Sequence, residues 1–265
     1  MLKTISDYAT EHNLRFSTNP DPRKCKTKLM AFLKKPRLLP DIFLGEVALP
    51  WVDTCKHLGN TIKNTIDGCQ EDMRIKRAKY ISKNIEINQE FHFAAASTRV
   101  RVNSIWNTHF SGSPLWNLFS PGAERIVGSY NRSLKSMMKL PLATHRFLLE
   151  PLSGQKHAMV ILMDRFLSFM EKNVAIKMLK KEAMRDGRST TGAIMRGIML
   201  LMGKASYDDV TRDNLKDIEY YEVKEEDKWK ICIATEAYEV SNGESEIEMI
   251  NQREMAAVLQ YICVS

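Results

Sequence analysis

The chain has 265 residues, of which 44% are hydrophobic and 27% charged, and these ordinary globular values exclude collagen-like and wholly disordered chains. No apolar run approaches the ~20 residues that span a bilayer, and no signal-peptide pattern opens the sequence, so we expect no membrane association. The five cysteines lack paired spacing, which predicts reduced thiols in an intracellular protein, with nucleus and cytoplasm both open.

Charge is distributed unevenly along the chain. Residues 1–203 carry 32 Lys and Arg against 17 Asp and Glu, a net charge of +15. Residues 204–265 carry 7 against 15, a net charge of −8. A basic body followed by an acidic tail is typical of proteins that bind a polyanion, most often nucleic acid. Many basic proteins bind none, so charge alone leaves both interpretations open.

Residues 1–66 predict a small β-rich part. A helix ends near His12, and the two prolines of Asn19–Arg23 mark a turn. Extended segments are predicted at Lys26–Leu33, at Ile42–Leu49 with a hairpin turn at Gly45-Glu46, and at Trp51–Ile62 with a bend at Gly59-Asn60.

From residue 69 onward the pattern is helical. Between Glu71 and Phe93, apolar residues recur at spacings of three and four, at Ile75, Ala78, Ile81 and Ile85. Further helices are predicted at 96–108, 121–138, 156–170, 171–185, 189–202, 206–217, 227–240 and 247–262. The predicted fold class is therefore α+β, mainly α. Its three parts are the β-rich residues 1–66, a basic helical body at 67–203 and an acidic helical tail at 204–265.

Common catalytic motifs are absent from the sequence, including the dinucleotide fingerprint, the P-loop and zinc spacings. Tyr207-Asp208-Asp209 is similar to a polymerase metal motif, but it lacks flanking apolar strands. Ser206 before two acidic residues predicts a capped helix start instead.

Six segments, in this order and spacing, resemble reverse transcriptases of non-LTR retrotransposons of the jockey-like type. They are His12–Pro20, Lys24–Phe32, Leu49–Ile62, Asp72–Ala78, Pro141–Arg146 and Arg188–Gly192. The resemblance implies the end of a polymerase palm, a primer grip, a thumb and the region beyond it. In that family, aspartates that hold two Mg²⁺ ions lie upstream of the region that this chain resembles. The resemblance therefore implies no catalytic residue and no cofactor in this chain, and an inactive polymerase fragment that retains binding of an RNA or DNA template–primer.

The resemblance also implies candidate site residues. Lys26 matches the segment whose lysine lies near the incoming nucleotide, and Gly59 lies in the segment of the primer grip. The full set of candidate nucleic-acid-binding residues is Lys24, Lys26, Lys28, Lys56, Gly59, Arg74, Lys76, Arg77, Lys79 and Lys83. Lys76, Lys79 and Lys83 form a basic stripe on the thumb-like helix, where phosphate contacts would fix position.

Each of these assignments has a structural alternative. Lysines 24, 26 and 28 also suit an edge strand protected against aggregation, and Gly59 also suits an ordinary turn. The basic stripe also suits a solvated helix face. Trp106, Trp116 and Phe119 suit base stacking or, more commonly, a core. The alternative functions are a non-enzymatic α-helical interaction protein, or a decayed transposon fragment without nucleic-acid activity.

Overall fold

The computed structural model describes residues 2–31 except 20 and 22, 39–65 except 45 and 58, 69–106, 110–172, and 190–220 except 205, 217 and 219. The predicted helices at 227–240 and 247–262, and residues 173–185 of another, lie outside these ranges. The fold class is α+β, mainly α, as predicted. The chain divides into two compact units, Met1–Asp72 and Met73–Ser265. The finer three-part division stays a prediction.

The first unit contains a helix and two small antiparallel sheets. Its elements are α1 (Leu2–Glu11), β1 (Phe43–Leu44), β2 (Val47–Ala48), β3 (Thr54–His57) and β4 (Asn60–Lys63). Strand β1 pairs with β2, and β3 pairs with β4. Both predicted hairpins are confirmed. In the second, Gly59 turns the chain with a φ of +77°, which glycine adopts readily because it has no Cβ.

The strand predicted at Lys26–Leu33 is wrong for the residues of it that are described. Residues 26–31 form only one isolated parallel bridge, between Leu29 and Trp51. The backbone amides of Lys26 and Thr27 instead donate to the carbonyl oxygen of Ser17, at 3.1 and 3.2 Å. These bonds satisfy the backbone within a loop, so no sheet partner is needed there.

The second unit is helical. It contains all of helix α2 (Cys69–Glu90) from Met73 onward. The helices that follow are α3 (Ala96–Trp106), α4 (Pro121–Met137), α5 (Leu149–Ser153), α6 (Ala158–Lys172), α7 (Thr190–Leu201) and α8 (Arg212–Lys216). Short 3₁₀ turns lie at Ser113–Leu115, Arg146–Leu148 and Tyr207–Asp209. Throughout the described part of the chain, every helix is too short or too polar to form a transmembrane span.

Local chemistry sets the ends of α4. Ser120 caps its first turn, since its Oγ accepts a 3.4 Å hydrogen bond from the Ala123 amide, and Pro121 occupies the first helical position. At the other end, Lys139 adopts a φ of +56° and the Leu140 amide donates to the Lys135 carbonyl at 2.8 Å. This is the Schellman arrangement, here with a lysine where glycine is usual.

Helix α6 lies in the core of the second unit. Its buried side chains are Ala158, Met159, Val160, Leu162, Met163, Phe166, Leu167 and Met170. It packs against α4, α8 and the Ser113–Leu115 turn. Arg212 of α8 makes a bidentate ion pair with Asp164 of α6, with N–O distances of 2.7 and 3.1 Å. The apolar packing and this pair join α8 to the core.

Candidate functional site

The buried face of α2 differs from the face that its isoleucines mark. Within the second unit, its buried side chains are Met73, Lys76, Tyr80, Asn84 and Ile87. These positions recur every three or four residues and form one face. Ile81 and Ile85 are 36% and 54% exposed. The apolar periodicity of the isoleucines therefore does not identify the face of α2 that packs on the rest of the unit.

Tyr80 explains why this mixed face is the buried one. Its ring stacks on Phe110 and Tyr130, with centroids 5.4 and 6.2 Å apart, and aromatic burial of this kind contributes strongly to a core. Asn103 Nδ2 donates a 3.3 Å hydrogen bond to the Tyr80 hydroxyl. Asn84 Nδ2 donates to the Tyr80 carbonyl at 2.8 Å. Burial raises the pKa of the Tyr80 hydroxyl above its ordinary value, because the charged form is disfavoured away from water.

The three lysines of the predicted basic stripe have different environments. Lys76 is only 5% exposed, and its Nζ donates to Ser111 Oγ at 3.2 Å. Lys79 is exposed. Lys83 forms an ion pair with Glu86 one turn along the helix. Lys76 thus contributes to packing. Of these three lysines, Lys79 is the one that is exposed and forms no ion pair with a described acidic residue.

Arg77 leaves α2 on the side that faces α4. Its Nε donates a 2.7 Å hydrogen bond to Ser129 Oγ, and that hydroxyl donates to the Arg125 carbonyl at 2.9 Å. The serine is buried, so this pair of hydrogen bonds fixes the direction of the Arg77 guanidinium.

Arg77 forms part of the wall of a pocket of about 330 Å³, called the basic pocket below. The residues that line it are Arg77, Arg125, Gly128, Ser129, Asn131, Arg132, Lys135, Leu142 and Arg146. They come from α2, from α4 and from the segment that enters the Arg146–Leu148 turn. Five of the nine carry positive charge, and none of the described lining residues is acidic. Such a concentration of one sign in a concave site attracts anions.

Lys135 and Asn131 form the more buried part of the basic pocket. Lys135 is 8% exposed, and its Nζ donates to the Leu142 carbonyl at 2.7 Å, which holds the following segment against α4. Asn131 is 5% exposed, and within the described part of the chain its Nδ2 has no hydrogen-bond partner. A buried donor without an acceptor lowers the stability of a protein by about 1–3 kcal/mol. A ligand atom that accepted a hydrogen bond from this Nδ2 would therefore bind more tightly.

Gly128 creates room in the basic pocket. It lies on α4, one position before Ser129, and a Cβ placed on it meets no atom of the described residues within 4 Å. The helix therefore presents bare backbone here between Arg125 and Arg132. A methyl group at this position would therefore extend into open space.

The candidate lysines of the first unit lie on a loop. Lys24, Lys26 and Lys28 are exposed and alternate with Cys25, which is buried, and Thr27, which is half-buried. The Cys25 thiol donates to the Thr27 carbonyl at 2.9 Å, which tightens this segment. The alternation predicted for the three lysines is thus present, although without a strand. Their contact with nucleic acid stays a prediction.

Lys56 and Gly59 lie on the hairpin of β3 and β4. Lys56 is exposed and pairs across the ladder with Thr61, and Gly59 forms the turn. The Thr61 amide donates to Asp72 Oδ1 at 2.8 Å, which holds this hairpin to the start of α2 within the first unit. The hairpin that the resemblance implies is present, and its role as a primer grip stays a prediction.

Two of the three candidate stacking aromatics are described by side chain. Trp116 is 1% exposed and belongs to the core. Phe119 is 41% exposed and its ring lies over Gly197 of α7. The side chain of Trp106 lies outside the described residues. Base stacking by Trp116 is therefore excluded by its burial in this fold.

Carboxylates do not assemble into a metal site among the residues that the structure describes, where no group of three His, Cys, Asp or Glu side chains converges. Tyr207–Asp209 forms a single 3₁₀ turn, and Ser206 Oγ accepts a 3.3 Å hydrogen bond from the Asp208 amide. The predicted Ser206 cap is confirmed, but the single helix predicted at 206–217 is wrong, because the chain leaves the helical conformation at Val210 and α8 begins only at Arg212.

Most of the basic pocket was not predicted from the sequence. Arg77 was a candidate, whereas Arg125, Ser129, Asn131, Arg132, Lys135 and Arg146 were not. Arg125, Gly128, Ser129 and Arg132 are spaced by three and four residues, so a helical projection of 121–138 could have shown three of them as a polar stripe with a glycine. No signal in α4 indicates that Arg77 and Arg146 join them.

In comparisons with protein-family models, with curated proteins and with solved structures, no match to this chain is found.

Proposed function

We propose that this chain is a reverse-transcriptase-derived protein that binds RNA or DNA through the basic pocket of its helical unit. The observation that carries the proposal is the convergence of five cationic side chains, with no acidic residue among the described lining residues, in one concave site. Phosphate groups are the anions that nucleic acids present in quantity, and arginine binds them with two parallel hydrogen bonds. Arg77 lies in the segment that resembles the thumb of the family.

Contacts of this kind hold a phosphate backbone without reading its sequence. The residues that would make them at the rim are Arg125, Arg132 and Arg146, which are exposed at the surface. Phosphate contacts give affinity that falls as salt rises, because binding releases condensed counterions. We therefore expect binding to RNA–DNA hybrids and to either single strand, with weak sequence preference.

The test is a titration of a fluorescently labelled hybrid with 5′-hydroxyl ends, at several salt concentrations. We expect log affinity to fall linearly with log salt. Arg125→Gln should weaken binding and reduce the magnitude of the slope by about one, since one phosphate contact is lost. The matched control is Arg101→Gln, which removes the same charge from an exposed position on α3 outside the pocket. Absence of binding at low salt, or equal effects of the two variants, would contradict the proposal.

Polymerase activity is a separate question within the same proposal. Two-metal phosphoryl transfer requires carboxylates that hold the metal ions. In the family that the chain resembles, those carboxylates precede the resembling region. We expect no extension of a labelled primer on an RNA template with Mg²⁺, and measurable extension would refute an inactive fragment.

A second candidate function is protein interaction through α2. Ile81 and Ile85 are exposed one turn apart, and Ala78 extends the same face. Exposed apolar faces of this kind favour a protein partner. If this function holds, Ile81→Lys with Ile85→Lys will increase solubility and abolish self-association or partner binding while leaving nucleic-acid binding intact.

A further inference from the structure

The shape of the basic pocket bears on which phosphate it can accept. Its volume of about 330 Å³ lies at the small end of the ~300–1,000 Å³ range of ligand sites. This is room for a phosphate group with its adjoining sugar. The phosphates in the middle of a duplex lie along a ridge, flanked on both sides, and can contact only the exposed arginines at the rim.

The donors of the basic pocket match a terminal phosphate group. A phosphomonoester carries a charge of about −1.5 to −2 and three acceptor oxygens, whereas an internal phosphodiester carries one charge. Arg77 is directed by its hydrogen bond to Ser129. Arg125, Arg132 and Arg146 supply further guanidinium groups around the opening. More positive charge is gathered here than a single internal phosphate needs.

Asn131 gives an independent indication of a ligand. It is nine-tenths buried, it lines the pocket, and its Nδ2 finds no acceptor among the residues that the structure describes. Buried polar groups in native proteins are nearly always hydrogen-bonded. Its Nδ2 has almost no accessible area, so a phosphate oxygen in the pocket would supply the missing acceptor once the Asn131 amide turns towards it. An internal phosphate held at the rim would leave Asn131 unsatisfied.

From these observations we infer that the basic pocket recognises the terminal phosphate of a nucleic-acid strand. This inference rests on the proposed function, because it assigns a ligand to the same site. Rim arginines contact the phosphates of any strand, and the interior of the pocket distinguishes an end that carries a phosphate from one that carries a hydroxyl.

The experiment compares single strands of one sequence that differ only at their ends, with the full-length protein. The probes carry a 5′-phosphate, a 3′-phosphate or hydroxyls at both ends, and a nucleoside monophosphate serves as a fourth ligand. We expect one phosphorylated end to bind about tenfold or more tightly than the hydroxyl-ended strand at physiological salt, as a charge-assisted bidentate contact would give. The mononucleotide should compete only for this extra affinity.

Two variants test whether the interior of the pocket is responsible. Gly128→Leu fills space that is open around its Cβ, so the fold should be retained and the preference for the phosphorylated end lost. Gly128→Ala, which adds only a methyl group, is the matched control and should keep most of the preference. Asn131→Leu should reduce the preference while binding of the hydroxyl-ended strand persists.

The outcomes separate this inference from the proposed function. Equal binding of phosphorylated and hydroxyl-ended strands by the wild-type protein overturns the inference and leaves nucleic-acid binding standing. A preference that survives Gly128→Leu, with unchanged thermal unfolding, also overturns it. Binding of the mononucleotide without discrimination between strand ends overturns it in favour of a nucleotide site. If no strand binds at low salt, the proposed function itself fails.

Discussion

The Nε of Arg77 on α2 donates a 2.7 Å hydrogen bond to the buried hydroxyl of Ser129 on α4. The two residues are 52 positions apart in the sequence, yet they form one wall of the basic pocket. Serine is uncharged, so it orients the guanidinium without neutralising it. The remaining donors of Arg77 stay available to an anion in the pocket.

This relationship makes Ser129 a positioning residue. Ser129→Ala should weaken binding of a nucleic-acid strand by roughly three- to tenfold, because Arg77 loses its fixed direction and regains side-chain freedom. Fluorescence anisotropy with a labelled strand measures the change. Ser136→Ala, at an exposed position on the same helix, is the control and should bind as the wild-type protein does. Equal affinities of all three proteins would show that the hydrogen bond does not position Arg77.

His157 makes the stability of the helical unit depend on pH. Burial, together with the nearby positive charge of Arg146, lowers the pKa of His157 to about 4. Its Nδ1 accepts a 3.3 Å hydrogen bond from the Met159 amide at the start of α6, and its ring stacks on Tyr220. The hydrogen bond requires an unprotonated Nδ1, and therefore the neutral ring.

The sign follows from these protonation states. Below the ordinary pKa of about 6.5, His157 is protonated in the unfolded chain but stays neutral in the native protein. The free energy of unfolding therefore falls as the pH drops from 6.5 towards 4. From pH 7 to pH 5, the protonation of this residue in the unfolded chain should lower the free energy of unfolding by about 2 kcal/mol. Urea denaturation at the two values measures it. His157→Asn retains a capping oxygen and should lose this part of the pH dependence. An unchanged dependence in the variant would contradict the assignment.

The ring of Phe119 lies against Gly197 on α7. A Cβ at this position would overlap the ring of Phe119. Gly197→Ala should therefore destabilise the protein by about 1–3 kcal/mol, despite the higher helix propensity of alanine. In a Phe119→Ala background the same substitution should be neutral or stabilising by up to about 1 kcal/mol. Chemical denaturation of the four proteins gives the coupling, and additive effects would refute a contact between the ring and the glycine.

Lys139 occupies a backbone conformation that suits glycine. Its φ of +56° ends α4, and its side chain is exposed. Lys139→Gly should raise the free energy of unfolding by about 0.5–1 kcal/mol, because the native strain of a Cβ in the left-handed region is removed. Lys139→Ala keeps the strain, removes the charge, and serves as the control. If alanine stabilises as much as glycine, the gain comes from charge and not from backbone conformation.

Local features of the fold could be predicted because a few neighbouring residues are enough to produce them. Ser120 followed by Pro121 determines where α4 begins, through one hydrogen bond and one fixed φ. Gly59 allows the turn of the second hairpin in the same local way. The helical pattern beyond residue 69 is also local, since backbone hydrogen bonds in a helix join residues four apart. The boundaries of α2, α3, α4 and α7 accordingly match their predicted positions closely.

Tertiary packing decided which surfaces of those helices are buried and which residues meet. The periodicity of the isoleucines predicts that one face of α2 is buried. The buried face is instead the one that carries Tyr80, which stacks on Phe110 and Tyr130, and Lys76 lies on this same face. The basic pocket likewise joins Arg77 to Arg146, residues that no local pattern relates. Long-range contacts depend on how whole surfaces fit together in space. For that reason the basic pocket exists only where α2 and α4 lie side by side in the folded protein.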